Sequence, residues 1–138
     1  IRPMGRAAGG VRAIRLKSGD YISAMDIAES QKLKVKSQKL LIVTENGFGK
    51  TTDIKEYKTQ GRGGSGIKTA KVTAKTGLIV HASILSDENK EEDLLVISQK
   101  GQIIRVEISN IPSLGRATQG VRIMRMNEGD KIASVAVV

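Results

Sequence analysis

Three short stretches hold residue types that could do chemistry. Gln60-Gly61-Arg62-Gly63-Gly64-Ser65-Gly66, written QGRGGSG, contains the pattern G-x-G-x-x-G. A dinucleotide-binding loop of that pattern must follow a strand and open a helix, whose N-terminus holds the pyrophosphate. Here Ile67-Lys68-Thr69-Ala70-Lys71-Val72-Thr73 follows, rich in β-branched residues, then Gly77 and Leu78-Ile79-Val80. That is strand, turn, strand, and no helix opens. Gly47-Phe48-Gly49-Lys50-Thr51 looks like the end of a phosphate-binding P-loop, but Thr44 stands where its first glycine belongs. Both read as turns. His81 is the single histidine, and the acidic run Asp87-Glu88 and Glu91-Glu92-Asp93 carries a lysine and reads as a solvated loop. Neither makes a catalytic or metal-ligating constellation, so no catalytic residue, metal or cofactor is expected.

The glycines have copies elsewhere. GRGGSGIKTAKV (residues 61–72) matches GRAAGGVRAIRL (5–16) and GRATQGVRIMRM (115–126), at offsets of 56 and 54 residues. All three read Gly-Arg, three small or polar residues, Gly, Val or Ile, a basic residue, any residue, Ala/Ile/Met, a basic residue, an aliphatic one. LLIVTENGFGKTTDIKEY (40–57) likewise lies 54 residues before LLVISQKGQIIRVEISNI (94–111), which aligns Tyr57 with Ile111 and makes it a packing residue rather than a nucleophile. Repeats of this length mark stacked or radial architectures.

Each repeat has four strand-like runs. In the middle one they fall at about 67–73, 78–85, 94–98 and 102–108, with turns at Thr76-Gly77 and Lys100-Gly101 and the acidic loop SDENKEED between them. The first has the same order, with turns at Ser18-Gly19 and Asn46-Gly47 and a longer Lys-bearing loop, AESQKLKVKSQK. Asn-Gly is a hairpin signal because both residues tolerate positive φ. LLIV and LLVI are apolar on both faces and predict central, doubly covered strands. The fold class is therefore all-β: a propeller-like array of four-stranded blades, here one partial domain over 1–138 with units at approximately 5–60, 61–114 and an incomplete 115–138. About two and a half units are too few to close a ring of roughly four to eight blades, so the chain reads as a fragment. The middle unit, with neighbours on both sides, is expected to hold the protected core, at residues 61–111.

Composition narrows the partner. The chain has 138 residues, 39% of them hydrophobic, but only 2% aromatic, so its core must be aliphatic. Cysteine is absent, which excludes disulfide and thiolate-metal frameworks, and no apolar run approaches the roughly 18 residues of a membrane span. The 23 basic residues outnumber the 14 acidic ones, a net charge of +9 that calls for a polyanion, nucleic acid first. The excess is placed. Each unit carries an arginine in its Gly-Arg loop, Arg6, Arg62 and Arg116, and two later cations, Arg12 and Arg15, Lys68 and Lys71, Arg122 and Arg125. Lysine and arginine on phosphates give affinity without base information. Two points stay open: whether the loop arginines are instead spent on carbonyls of neighbouring blades, and whether, in each later pair, three apart and so on opposite faces of a regular strand, a bulge re-aims one cation or only one faces DNA.

The strings GRAAGGVRAIRLKSGD, LLIVTENGFGKTTDIKEYKTQGRGGSGIKTAKVT and ISNIPSLGRATQGVRIMRM resemble the C-terminal domain of the A subunit of DNA gyrase and its relative topoisomerase IV, over essentially the whole chain. The resemblance implies a β-pinwheel whose basic rim wraps duplex DNA without sequence preference, in support of supercoiling by an ATP-dependent type IIA topoisomerase. Its catalytic residues lie in other parts of the enzyme. The partners it implies are double-stranded DNA, the remaining A-subunit domains and the ATPase B subunit. It implies no membrane, and a bacterial cytoplasmic, nucleoid-associated location. The family's gyrase box, Q-[RK]-R-G-G-[RK]-G, is matched at Gln60, Arg62, Gly63, Gly64 and Gly66. Gly61 and Ser65 stand where the box has cations, so QGRGGSG reads as a degenerate copy. The alternative from residues alone is a propeller-like protein-interaction or RNA-binding module with a basic rim.

Overall fold

The computed structural model describes residues 2–29 and 37–138. Most of the Lys-bearing loop lies outside them, as does Ile1. The described residues form no α-helix; they form seven strands, β1 Lys39–Thr44, β2 Phe48–Asp53, β3 Ile79–Leu85, β4 Asp93–Ser98, β5 Ile103–Glu107, β6 Val121–Arg122 and β7 Ile132–Val137, all paired antiparallel, with short 3-10 turns at Ile54–Glu56, Asp87–Glu91 and Ile108–Asn110.

Two hairpins are the local units. In β1–β2, Leu41 faces Thr51 and Val43 faces Gly49, and the chain reverses through Asn46-Gly47, where Gly47 takes φ 87° and donates its N–H to the Thr44 carbonyl at 3.1 Å. A Cβ on Gly47 would fall 2.2 Å from the Met124 carbonyl oxygen, so no other residue fits. β4–β5 repeats the device at Gly101, also at φ 87°.

Each hairpin is completed by strands from later units. The first sheet has the order β3-β1-β2-β6 and the second β5-β4-β7. A blade is thus assembled across repeats, not within one. The buried cluster joins both sheets: Leu41, Val43 and Leu85 from the first meet Leu94, Val96 and Ile132 from the second, closed by Ile108, Ile111 and Met124. This core extends from Leu41 to Ile132 and is wider than the 61–111 expected, because the strands of neighbouring units interleave.

Two strand expectations need correction. Residues 67–73 form no strand, and among the described residues neither do the copied runs of the first unit before Lys39: they are copies of the region around β6, but the Lys71 and Arg15 amides are turned to the loop of the next unit, at Thr118 and Gly64, instead of to a ladder. LLIV is covered on both faces, with Leu41, Ile42 and Val43 at most 2% exposed, but LLVI buries only Leu94 and Val96 and leaves Leu95 and Ile97 half-covered. The acidic loop is a 3-10 turn, in which Lys90 pairs with Asp87 at 2.8 Å.

Candidate nucleic-acid interface

The Gly-Arg loops stack against one another by a bond that itself repeats. The Arg15 amide donates to the Gly64 carbonyl at 2.8 Å, and the Lys71 amide donates to the Thr118 carbonyl at 3.1 Å. Arg15 and Lys71 are copies, as are Gly64 and Thr118, so the second cation of the first and of the middle unit is tied by its backbone to the loop of the next unit. The glycine that closes each loop is left-handed in all three, Gly10 at φ 81°, Gly66 at 82° and Gly120 at 85°, where a Cβ would be strained. QGRGGSG is the middle loop of the stack. Its Gly63 amide also donates to Ala13 at 2.9 Å, and it opens no helix.

Of the expected cations, Arg6, Arg12, Arg15, Arg62, Lys68, Lys71, Arg122 and Arg125 are exposed and Arg116 is half-exposed. Among the described residues none of the nine pairs with a carboxylate; the ion pairs are Lys90–Asp87, Arg105–Asp93 and Lys131–Glu45. The stack brings Arg15 and Lys68 to one groove, whose wall includes Lys17, Ser65 and Gly66. Arg122 lies over the Phe48 ring at 5.3 Å from its centroid, with Lys75 at 5.7 Å, which fixes both cations over the β1–β2 turn. Arg116 differs from the other loop arginines: it donates to the Lys68 carbonyl of the adjacent unit at 3.3 Å.

Sequence reasoning passed over Lys50 because it sits in the P-loop look-alike. It is 1% exposed, in the middle of β2. The segment after Pro112 runs along β2, with Thr51 donating to Pro112 at 3.0 Å and Leu114 to Thr51 at 2.8 Å, and rejoins the strand where Val121 pairs with Gly49. The third Gly-Arg loop arches between these anchors, over Lys50. The ammonium donates to the Gly115 carbonyl at 2.7 Å, the Arg116 carbonyl at 2.8 Å and the Thr118 hydroxyl at 3.1 Å, one acceptor for each of its protons. Burial holds its pKa below the ordinary lysine value, against the opposing field of Glu56. The repeat offered one signal for this: the copied position in β5 is Ile104, an inward-facing site.

The enzyme candidates are held structurally. Half-buried His81 shares a hydrogen with the Ser83 hydroxyl at 3.0 Å, and burial keeps its pKa below the usual histidine value, opposed by Asp26. The Tyr57 hydroxyl meets that of Thr69 at 2.6 Å. The described residues contain no cluster of three or more His, Cys, Asp or Glu able to hold a metal ion, and no helix long and apolar enough to cross a membrane.

The family model for the DNA gyrase C-terminal domain, beta-propeller, matches residues 1–29, 38–86 and 92–138. The chain belongs to the DNA gyrase C-terminal domain family. The A subunit of DNA gyrase from Staphylococcus epidermidis is 43% identical over 138 residues, all of this chain and 15% of that protein. The chain thus spans a small part of the gyrase proteins it matches. The solved C-terminal domain of DNA topoisomerase IV superposes with a TM-score of 0.79 over 93% of this chain and 38% of that one, at 20% identity. The solved DNA gyrase A C-terminal domain gives 0.65 over 72% of this chain and 33% of that one, at 26% identity. The gyrase-type pinwheel is therefore the fold, represented here by one four-stranded and one three-stranded blade.

Proposed function

We propose that the stacked Gly-Arg loops bind the phosphate backbone of duplex DNA and guide it along the rim of the pinwheel. In this reading the chain is part of the A subunit of a bacterial, cytoplasmic type IIA topoisomerase, gyrase before topoisomerase IV. It works with the remaining A-subunit domains and an ATPase B subunit. The chemistry of strand cleavage belongs to those other parts. The supporting observation is the repeated amide-to-carbonyl bond, Arg15 to Gly64 and Lys71 to Thr118. It ties each loop to the next, and cations that form no ion pair among the described residues recur in those loops at offsets of 56 and 54 residues. A regular polyanion fits such an array better than an acidic protein of irregular charge spacing. Phosphate contacts also supply affinity without sequence preference, as an enzyme acting at many sites requires.

The test is the salt dependence of binding to a mixed-sequence duplex. Neutralising about five phosphates gives a slope of log K against log salt of about −4 to −5. Replacing Arg12, Lys68 and Arg122 together with Ala should flatten it to about −2, roughly one unit for each phosphate that is no longer neutralised. A wild-type slope near zero, or tight binding unchanged by the triple replacement, would overturn the assignment.

A further inference from the structure

Lys50 is a buried cation that forms no ion pair among the described residues, Glu56 acting on it only through its field, and taking an ammonium out of water is costly unless its protons are satisfied. Here two of its three acceptors are successive backbone carbonyls, Gly115 and Arg116. A trans peptide is planar, so its N–H points opposite to its C=O. With both carbonyls drawn inward to the ammonium, the N–H groups of the same peptide units, on Arg116 and Ala117, point outward. Neither donates a hydrogen bond among the described residues, although the next amide, Thr118, closes the turn onto Gly115 at 3.4 Å. The Thr118 hydroxyl locks this arrangement, accepting from Lys50 while donating to Gly115 at 2.8 Å.

We propose that Lys50 is a positioning residue that turns the third Gly-Arg loop into an oxyanion site, in which the adjacent N–H groups of Arg116 and Ala117 bind one phosphate group from outside while the ammonium holds their carbonyls from inside. Successive outward amides form the kind of concavity that accepts anions, and the buried positive charge behind them favours the same ligand. The side chain of Arg116 is meanwhile committed to the Lys68 carbonyl, so at this loop the backbone supplies the donors. Ile104 occupies the copied position in β5 and offers no ammonium, and the first loop closes the same turn, Ala8 onto Gly5 at 3.1 Å, so what sets the third loop apart is the ammonium behind its carbonyls. The inference rests on the DNA-binding reading only for the source of the phosphate, either the duplex backbone or a free anion.

Amide chemical shifts of the 138-residue chain test it, with inorganic phosphate exchanged for chloride at constant ionic strength in one arm and a mixed-sequence duplex in the other. Phosphate should move the Arg116 and Ala117 amide protons downfield to saturation, and the duplex should move the same two signals. Lys50→Met keeps the length of the side chain and removes its protons; phosphate affinity at these amides should fall about tenfold. Thr118→Val, a milder change, should weaken it severalfold and tests the clamp even if Lys50→Met does not fold. Wild-type amides that stay put with both ligands would overturn the site. Shifts unchanged in both variants would overturn the role of Lys50. Duplex binding with the expected salt slope but unmoved amides would remove this site and leave the wrapping reading standing. Phosphate shifts without any duplex binding would do the reverse.

Discussion

Gly120 holds the third loop down on β2 at a point where no side chain fits. Its φ is +85°, and a Cβ built there falls 2.7 Å from the Gly49 carbonyl oxygen, so both the backbone conformation and the space exclude alanine. Gly120→Ala should lower unfolding free energy by roughly 2 kcal/mol or more in urea titrations, whereas Gly5→Ala, with nothing within 4 Å of the added carbon, should stay within about 0.5 kcal/mol. Asp130 gives a second residue-level expectation. It precedes β7, accepts from the Lys100 amide at 3.1 Å and the Lys131 amide at 2.9 Å, and is held below the ordinary aspartate pKa by the Ser98 hydroxyl first and by these two amides. The folded state therefore keeps Asp130 ionised to lower pH than the unfolded chain does. Its stabilisation is complete above the unfolded value of 3.8 and is lost as pH falls through the lower folded value. In thermal melts from pH 7 to pH 2, Asp130→Asn should start lower than wild type and converge with it at the acid end; parallel curves would contradict this.

At the scale of elements, the sequence reveals what is local and hides what is paired at a distance. Both hairpins are legible, since LLIV and LLVI are aliphatic runs joined to their partners through Asn46-Gly47 and Lys100-Gly101. The recurrence of the cations is legible too, because repetition singles out Arg12, Lys68 and Arg122, which the structure leaves exposed, without any knowledge of the fold. The outer strand of each sheet is not. Repeats with the same pattern can form ladders within or between units, and only packing decides that β3 joins β1 rather than its own neighbour β4. Lys50 was hidden for a similar reason: its three acceptors lie 65 to 68 residues away. The same distinction predicts hydrogen exchange. Residues 131–137 pair with β4, but their copies at 21–27 remain exposed and touch β3 only through side chains, Ser23 to the Ile79 carbonyl at 2.6 Å and the Ile84 amide to Asp26 at 2.8 Å. Amides at 21–27 should exchange within minutes, while those of β7 remain protected through the lifetime of the sheet. Equal protection in the two would mean that the first copy is also paired.

Taken whole, the molecule keeps the nine repeated cations outside its aliphatic core, with Lys50 the buried exception. The aliphatic cluster between the sheets has no need of the loop cations, and so the rim can be varied by substitution with little effect on folding, apart from Arg122 over Phe48 and Arg116 on Lys68. The interleaved sheets have a consequence in time. The β1–β2 hairpin can close as soon as Asp53 has been made, but its outer strand β3 ends at Leu85 and its last strand, β6, arrives only with Arg122. At about 5–20 residues per second, a ribosome takes roughly 3–14 s to add that stretch. Until the Pro112–Leu114 segment and then β6 arrive, β2 presents an unpaired edge, and Phe48 lacks the arginine that later covers it. Crowded polysomes are where such an edge meets its copies on neighbouring nascent chains, so the stretch between Asp53 and Arg122 is where slow or stalled translation would cost most in misassembly.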